Sequence, residues 1–167
     1  NLKLHSKIKN ELIKSLANCS GSSGLAEGQY FDLTFENKKL SKKKIIDIQY
    51  NKTGKLFAFC CECAGIIKEH NIKKRKILKS IGLDIGLLFQ IADDLIDYKG
   101  DSRIVGKPTK RDKKKGKPTL VNLLGYTETL SFADNLKNKI SEKIKNYGNK
   151  SQDLLQSVEF ILDENLK

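Results

Sequence analysis

Three aspartates stand close together near the middle of the 167-residue chain. Asp93, Asp94 and Asp97 lie in an otherwise apolar stretch that also contains Gly86 and Gln90. A helix turns about 100° per residue, so these five residues share one face about 100° wide, where the glycine would let something approach closely. Carboxylates stacked in this way repel one another unless a cation compensates them. The spacing therefore predicts a cation-binding face on a helix.

Magnesium suits this face better than the other common cations do. It takes one or two protein carboxylates and completes its octahedron with waters and substrate phosphate oxygens. Calcium fits less well, because its oxygen ligands usually come from a wrapping loop rather than a rigid helix. The alternative is a solvated acidic face, which the negative end of the helix dipole disfavours.

A lysine-rich segment follows the aspartates directly. From Lys99 to Pro118 the hydrophobic period disappears, and seven basic residues lie from Lys107 to Lys117. Lys107 and Lys117 each follow a glycine and precede Pro-Thr, which indicates a shaped turn, with a solvated loop as the alternative. Carboxylates that bind a cation beside lysines that bind an anion favour a metal–diphosphate site.

The remaining sequence predicts helices that would position these groups. A stripe of apolar residues at helical spacing runs from Leu2 to about Asn18, and a breaker cluster and a loop-rich stretch through Asp32 to Lys39 follow it. Ser41 is a candidate N-cap. Further helices are predicted at about 41–70, 73–98, 119–124, 127–146 and 151–167. We expect an all-α fold of about six helices, with residues 1–167 forming a single helical domain.

Composition narrows the class of protein. The net charge of +12 comes almost wholly from lysines, because only three basic residues are arginines. Base readout and bidentate phosphate binding favour arginine, and aromatic residues amount to 7%, so a lysine-rich helical RNA-binding protein is the less favoured alternative and we expect no nucleic-acid partner. No apolar run or signal-like segment predicts membrane insertion, and the cytoplasm is the expected location.

Several short segments, taken in order, resemble the C-terminal half of a trans-isoprenyl diphosphate synthase, the polyprenyl synthetase family of farnesyl and geranylgeranyl diphosphate synthases. The matching segments are Gly28-Gln29 with Asp32-Leu33, Lys52-Thr53-Gly54, Phe89-Gln90 with Asp93-Asp94 and Asp97, Gly100-Asp101, and Gly106-Lys107 with Asp112 and Gly116-Lys117. Any one of them alone would be weak, whereas their order and separations fit the family.

The resemblance implies an isoprenoid-synthase-type helical bundle around a central cavity, usually in a homodimer. It implies that an allylic diphosphate (dimethylallyl or geranyl) ionises with help from Mg²⁺, isopentenyl diphosphate attacks the carbocation, and farnesyl diphosphate forms after loss of a proton. It assigns Mg²⁺ to Asp93, Asp94 and Asp97, the latter two through water. It assigns substrate binding to Lys107, Lys117, Gln29 and Asp32, and it places Lys52, Thr53 and Gln90 along the developing carbocation.

The sequence also departs from the family pattern. Glu27 stands where the family has a glycine, as does Lys110 inside the lysine-rich segment. No aspartate precedes Asp32 and no arginine precedes Arg75, so the first aspartate-rich motif of the family is missing from these 167 residues. We therefore expect the C-terminal half of a prenyltransferase domain. A non-catalytic or regulatory subunit of a prenyl diphosphate synthase is the alternative.

Overall fold

The structure is a computed structural model that describes residues 3–99 and 116–166. The helices are α1 (Ser6–Ser20), α2 (Leu25–Thr34), α3 (Lys42–Gln49), a π-helix (Tyr50–Gly54), α4 (Lys55–Ile67), α5 (Ile72–Lys99), α6 (Leu120–Leu124), α7 (Tyr126–Lys145), a 3₁₀-helix (Gly148–Ser151) and α8 (Gln152–Leu166). No strand occurs in the described residues, and the predicted all-α fold is confirmed. None of the helices in these two ranges is long and apolar enough to cross a membrane.

The two long helices agree with the sequence prediction. The Ser41 side chain caps α3 by accepting a hydrogen bond from the Lys44 backbone N–H at 3.3 Å. The chain then continues through α3, the π-helix and α4 without leaving a helical path, which accounts for the single helix predicted from Ser41 to about His70. Helix α5 covers 28 residues, one more at each end than predicted.

The segment between the first two predicted helices differs from the prediction. Helix α2 runs from Leu25 to Thr34, so the first part of the loop-rich stretch through Asp32 to Lys39 is helical. Glycine has a low helix propensity, yet Gly28 lies inside α2, at a point where the neighbouring chain leaves no room for a side chain. A Cβ atom at Gly28 would lie 2.1 Å from the backbone nitrogen of Lys52.

Helix α5 forms the centre of the core. It packs against α4 and the π-helix on one side and against α7 and α8 on the other. Its apolar positions recur at helical spacing, and Ile81, Ile85, Leu88 and Leu95 are buried. These side chains join apolar residues of α3, α6, α7 and α8 in one cluster. Burial on this scale is the main force that stabilises the fold, and it fixes α5 as a rigid support for the aspartates near its C-terminal end.

Candidate functional site

The three predicted cation ligands lie in the last two turns of α5 and differ in burial. Asp94 is 3% exposed and Asp97 8% exposed, whereas Asp93 is half-buried. A simple solvated acidic face is therefore wrong for Asp94 and Asp97. Their position at the C-terminal end of the helix places negative charge where the helix dipole is also negative. Burial and dipole together make a compensating cation or a set of hydrogen-bond donors necessary here.

Two glutamine amides supply donors to Asp94. Gln49, the last residue of α3, donates from Nε2 to Asp94 Oδ2 at 2.9 Å, and Gln90 donates from Nε2 to Asp94 Oδ1 at 3.0 Å. The Gln90 carbonyl oxygen in turn accepts a hydrogen bond from the Thr53 hydroxyl at 3.1 Å. The structure thus brings the predicted residues Thr53, Gln90 and Asp94 into one hydrogen-bonded chain that joins the π-helix to α5.

Gln49 is a site residue that the sequence reasoning missed. It is 7% exposed, and its Oε1 is buried without a hydrogen-bond partner among the described residues. Exchanging the positions of Nε2 and Oε1 in the Gln49 amide is excluded, because Oε1 would then face the Asp94 carboxylate and two acceptors would repel each other. Its spacing of three residues from Lys52 puts it on the same side of a helix, and this was the one signal available in the sequence.

The π-helix holds Lys52 and Thr53 beside α5, and two glycines make that contact possible. A Cβ atom at Gly86 would lie 2.6 Å from the Cα of Gly54, so the backbones of the π-helix and α5 touch at this point. Gly86, which the sequence predicts to allow a close approach, does allow one. The group that approaches it is the backbone of Gly54. Gly28 provides the corresponding contact between α2 and the π-helix.

A buried polar contact anchors the start of the π-helix. The Tyr50 hydroxyl donates to Asp84 Oδ1 at 3.2 Å, and Lys143 from α7 lies 2.7 Å from Asp84 Oδ2. Burial, followed by the negative charge of Asp84, raises the pKa of Tyr50 to about 12. The neutral phenol therefore stays a donor over the physiological range and ties the π-helix to α5 and α7.

Two lysines share one carboxylate in a cleft beside these groups. Lys52 Nζ lies 2.6 Å from Asp32 Oδ2, and Lys117 Nζ lies 3.6 Å from the same oxygen. All three side chains are about four-fifths buried, with exposures of 25%, 19% and 22% for Lys52, Asp32 and Lys117. Two ammonium groups thus meet in this cleft, and ammonium groups suit an anion. The cleft is lined by Asp32, Ile45, Ile48, Gln49, Lys52, Gln90, Asp94, Lys117, Pro118 and Thr119.

The remaining predicted residues lie in different places. Gln29 is exposed on α2 and does not line this cleft. Lys107 lies outside the described residues. Lys117 immediately precedes Pro118 and the short helix α6, whose N-cap Thr119 accepts a hydrogen bond from the Asn122 N–H at 3.2 Å.

The aspartate face fits magnesium on the chemistry of its donors. Within residues 3–99 and 116–166, no group of three or more His, Cys, Asp or Glu side chains lies close enough to hold a metal ion. Magnesium does not need such a group, because one or two carboxylates suffice when phosphate oxygens and waters complete the shell. Asp93 is the least buried of the three carboxylates, whereas both oxygens of Asp94 accept amide hydrogen bonds. The donor set suits a metal that arrives with a diphosphate.

The sequence and the helical fold correspond to one family of known proteins. The family model for polyprenyl synthetases matches residues 2–159, and the chain belongs to this family. The relatives described next are named as prenyl diphosphate synthases or geranyltransferases.

Individual relatives agree with this assignment. The chain is 32% identical over 165 residues to a farnesyl diphosphate synthase from Micrococcus luteus, which covers 99% of this chain and 57% of that protein. It is 38% identical over 117 residues to a geranylgeranyl diphosphate synthase from Pantoea ananas, over 70% of this chain and 37% of that protein. It also superposes with a TM-score of 0.82 and 30% identity on a crystal structure of a geranyltransferase from Helicobacter pylori complexed with magnesium and isoprenyl diphosphate, covering 98% of this chain and 54% of that one. The chain spans about half the length of these relatives or less.

Proposed function

We propose that this chain belongs to a prenyltransferase that condenses isopentenyl diphosphate with dimethylallyl or geranyl diphosphate and releases farnesyl diphosphate. The observation that carries the proposal is the cleft in which Lys52 and Lys117 face a carboxylate beside the amide-held Asp94. Its two ammonium groups and its carboxylates suit a diphosphate that brings a divalent cation. The relatives include both farnesyl and geranylgeranyl diphosphate synthases, so the farnesyl product is the finer part of the proposal.

The residues would divide the work between the leaving group and the carbocation. Lys117 and Lys107 would bind the allylic diphosphate. Asp93, together with Asp94 and Asp97 acting through water, would hold Mg²⁺, which supplies positive charge to the departing diphosphate when bound.

The π-helix would face the other product of ionisation, the allylic carbocation. Thr53 and Gln90 are linked by a hydrogen bond, so their oxygen dipoles are fixed before any substrate binds. Fixed dipoles stabilise charge that develops in the transition state without the cost of reorganising solvent. Lys52, held by Asp32, would lie at the boundary between the carbocation and the diphosphate.

Turnover of the protein expressed from its complete reading frame tests this proposal. We expect Mg²⁺-dependent consumption of isopentenyl diphosphate with dimethylallyl or geranyl diphosphate, and a product of farnesyl chain length by chromatography. Asp93→Ala should lower turnover by orders of magnitude, whereas Asp153→Ala, at an exposed position of α8, should leave it unchanged. Full activity of Asp93→Ala in saturating Mg²⁺ would refute the role of the aspartate face. Activity that requires a second synthase chain would favour the non-catalytic or regulatory subunit instead.

A further inference from the structure

The stretch that ends at Lys117 is fastened to the loop between α2 and α3. The backbone N–H of Asn37 donates to the carbonyl oxygen of Gly116 at 2.8 Å. Both residues lie in the left-handed region, with φ of +61° at Asn37 and +63° at Gly116. Two residues from distant parts of the chain thus adopt the left-handed conformation where they meet, and this conformation is uncommon for a residue other than glycine.

Each residue type fits its position for a physical reason. A Cβ atom at Gly116 would lie 1.9 Å from Asn37 Oδ1, so only glycine leaves room for the asparagine side chain. Asparagine is one of the few residue types other than glycine that tolerate the left-handed region. Glu69, in the turn after α4, is the one other described non-glycine residue with positive φ.

Hydrogen bonds and an ion pair also hold Lys117 itself. The Lys117 carbonyl oxygen accepts hydrogen bonds from Asn122 Nδ2 at 2.9 Å and from the Thr119 N–H at 3.0 Å. Its ammonium group pairs with Asp32, which lies five residues before Asn37 on the same segment. The backbone of Lys117 is therefore held on its N-terminal side by Asn37 and on its C-terminal side by α6.

The segment that carries Asp32 and Asn37 is itself braced against α3. The Phe31 and Phe35 rings stack with their centroids 5.5 Å apart. Lys44 Nζ lies 4.4 Å from the Phe31 ring centroid and 5.4 Å from that of Phe35, at cation–π distances. The Asn37 turn therefore has a rigid base from which to hold the residue that precedes Lys117.

We propose that Asn37 is a positioning residue that acts through Gly116 and sets where the Lys117 ammonium meets an anionic ligand of the diphosphate class. The inference rests on the proposed function, because it takes Lys117 as a diphosphate-binding group. Asn37 itself does not touch the ligand. Its contribution is the backbone geometry that presents Lys117 to the cleft.

A double-mutant cycle on the protein from its complete reading frame tests this inference, with inorganic diphosphate and Mg²⁺ as the titrated probe in calorimetry. Lys117→Ala should weaken diphosphate binding about tenfold, as expected for the loss of a charge-assisted hydrogen bond. Asn37→Val, which disfavours positive φ, should weaken it several-fold, and Asn37→Gly, which retains it, should restore the affinity. In the Lys117→Ala background, Asn37→Val should have no further effect, because its only route to the ligand has been removed.

Glu69→Val is the matched control, because it imposes the same backbone penalty at a turn remote from the cleft. It should lower the unfolding temperature about as much as Asn37→Val does and leave diphosphate affinity unchanged. If Asn37→Val does not fold, Asn37→Ala takes its place in the cycle. The positioning role alone would be overturned if Asn37→Val lowered diphosphate affinity equally in the wild type and in the Lys117→Ala variant. It would also be overturned if Asn37→Val left the affinity unchanged while Lys117→Ala lowered it. Absence of any effect from Lys117→Ala would overturn the positioning role and the proposed diphosphate role of Lys117 together.

Discussion

At the scale of single residues, Asp94 shows how the site keeps negative charge in a buried place. Its two oxygens accept hydrogen bonds from the Gln49 and Gln90 amides. An amide donor orients a carboxylate without cancelling its formal charge. Among the described contacts, two amides orient Asp94, and two lysines pair with Asp32 in the adjoining part of the cleft.

Replacing Gln49 tests whether its amide orients Asp94 for metal and diphosphate binding. Gln49→Leu removes the donor to Asp94 Oδ2 but keeps a buried side chain of similar size, so we expect Mg²⁺-dependent diphosphate affinity to fall about tenfold, since hydrogen bonds to charged groups are strong. Gln156→Leu, at an exposed position of α8, makes the same chemical change away from the cleft. Calorimetric titration of both variants measures the effect, and equal affinities would exclude a role for Gln49.

The sequence could predict part of this arrangement. Asp93, Asp94 and Asp97 share a helix with Gln90, so local spacing places them on one face. Gln49 lies 45 residues from Asp94, and its hydrogen bond depends on where α3 crosses α5. Periodicity within one helix carries no information about which residue of another helix lies opposite, and for this reason Gln49 was missed.

At the scale of helices, the π-helix and α5 are joined through glycine backbones. Gly54 and Gly86 meet without a side chain between them, which brings Thr53 within hydrogen-bond distance of Gln90. The π-helix is a single turn that interrupts an otherwise α-helical path, and such turns are frequent at functional sites. The position of Thr53 therefore depends on the separation of two helices as well as on its own side chain.

Alanine substitutions at two glycines of the α4–α5 region should differ in cost. At Gly86 the new methyl group would meet the Gly54 backbone at 2.6 Å, which cannot move aside, so we expect a loss of about 1–3 kcal/mol in the free energy of unfolding. At Gly65 the methyl would meet the Leu78 and Arg75 side chains at 3.0 and 3.1 Å, which can shift. The gain in helix propensity should then offset most of the cost at Gly65. Urea denaturation of Gly86→Ala and Gly65→Ala measures both, and equal losses would contradict the backbone contact.

Helix α2 and the π-helix could not be predicted from local sequence patterns. The long apolar periods of α5 and α7 identify those helices without reference to their partners. Gly28 in α2 argues against a helix on local propensity, and its contact with the Lys52 backbone explains why glycine stands at this position of the helix. The π-helix has no known signature in the surrounding sequence, because its extra residue is accommodated by packing.

For the molecule as a whole, a partly buried ionic network fastens α1 to the rest of the fold. Glu62 of α4 accepts hydrogen bonds from Arg75 and Ser15 and pairs with Lys79 at 3.3 Å. Arg75 also pairs with Glu11 of α1. Burial would raise the pKa of Glu62, but Lys79 and the hydrogen-bond donors outweigh it, and the net shift is downward. The ionised carboxylate is thus stabilised in the folded state.

This shift predicts how stability depends on pH. A carboxyl group whose pKa is lower in the folded state stabilises the protein above its unfolded pKa, near 4.5 for glutamate, and this contribution is lost as the pH falls through the folded value. The free energy of unfolding of the wild type should therefore exceed that of Glu62→Gln at neutral pH, and the difference should shrink in acid. Glu159→Gln, at an exposed position of α8, should track the wild type. A difference that stays constant with pH would contradict the lowered pKa.

The hydrogen bond between Tyr50 and Asp84 has an optical consequence. The protein has five tyrosines and no tryptophan, so its near-ultraviolet absorbance comes almost entirely from phenol rings. Ionisation of a phenol shifts that absorbance to longer wavelength, and burial together with Asp84 raises the pKa of Tyr50 to about 12. Ionisation of Tyr50 therefore reports on the first residue of the π-helix, which gives the protein an intrinsic chromophore there that needs no label.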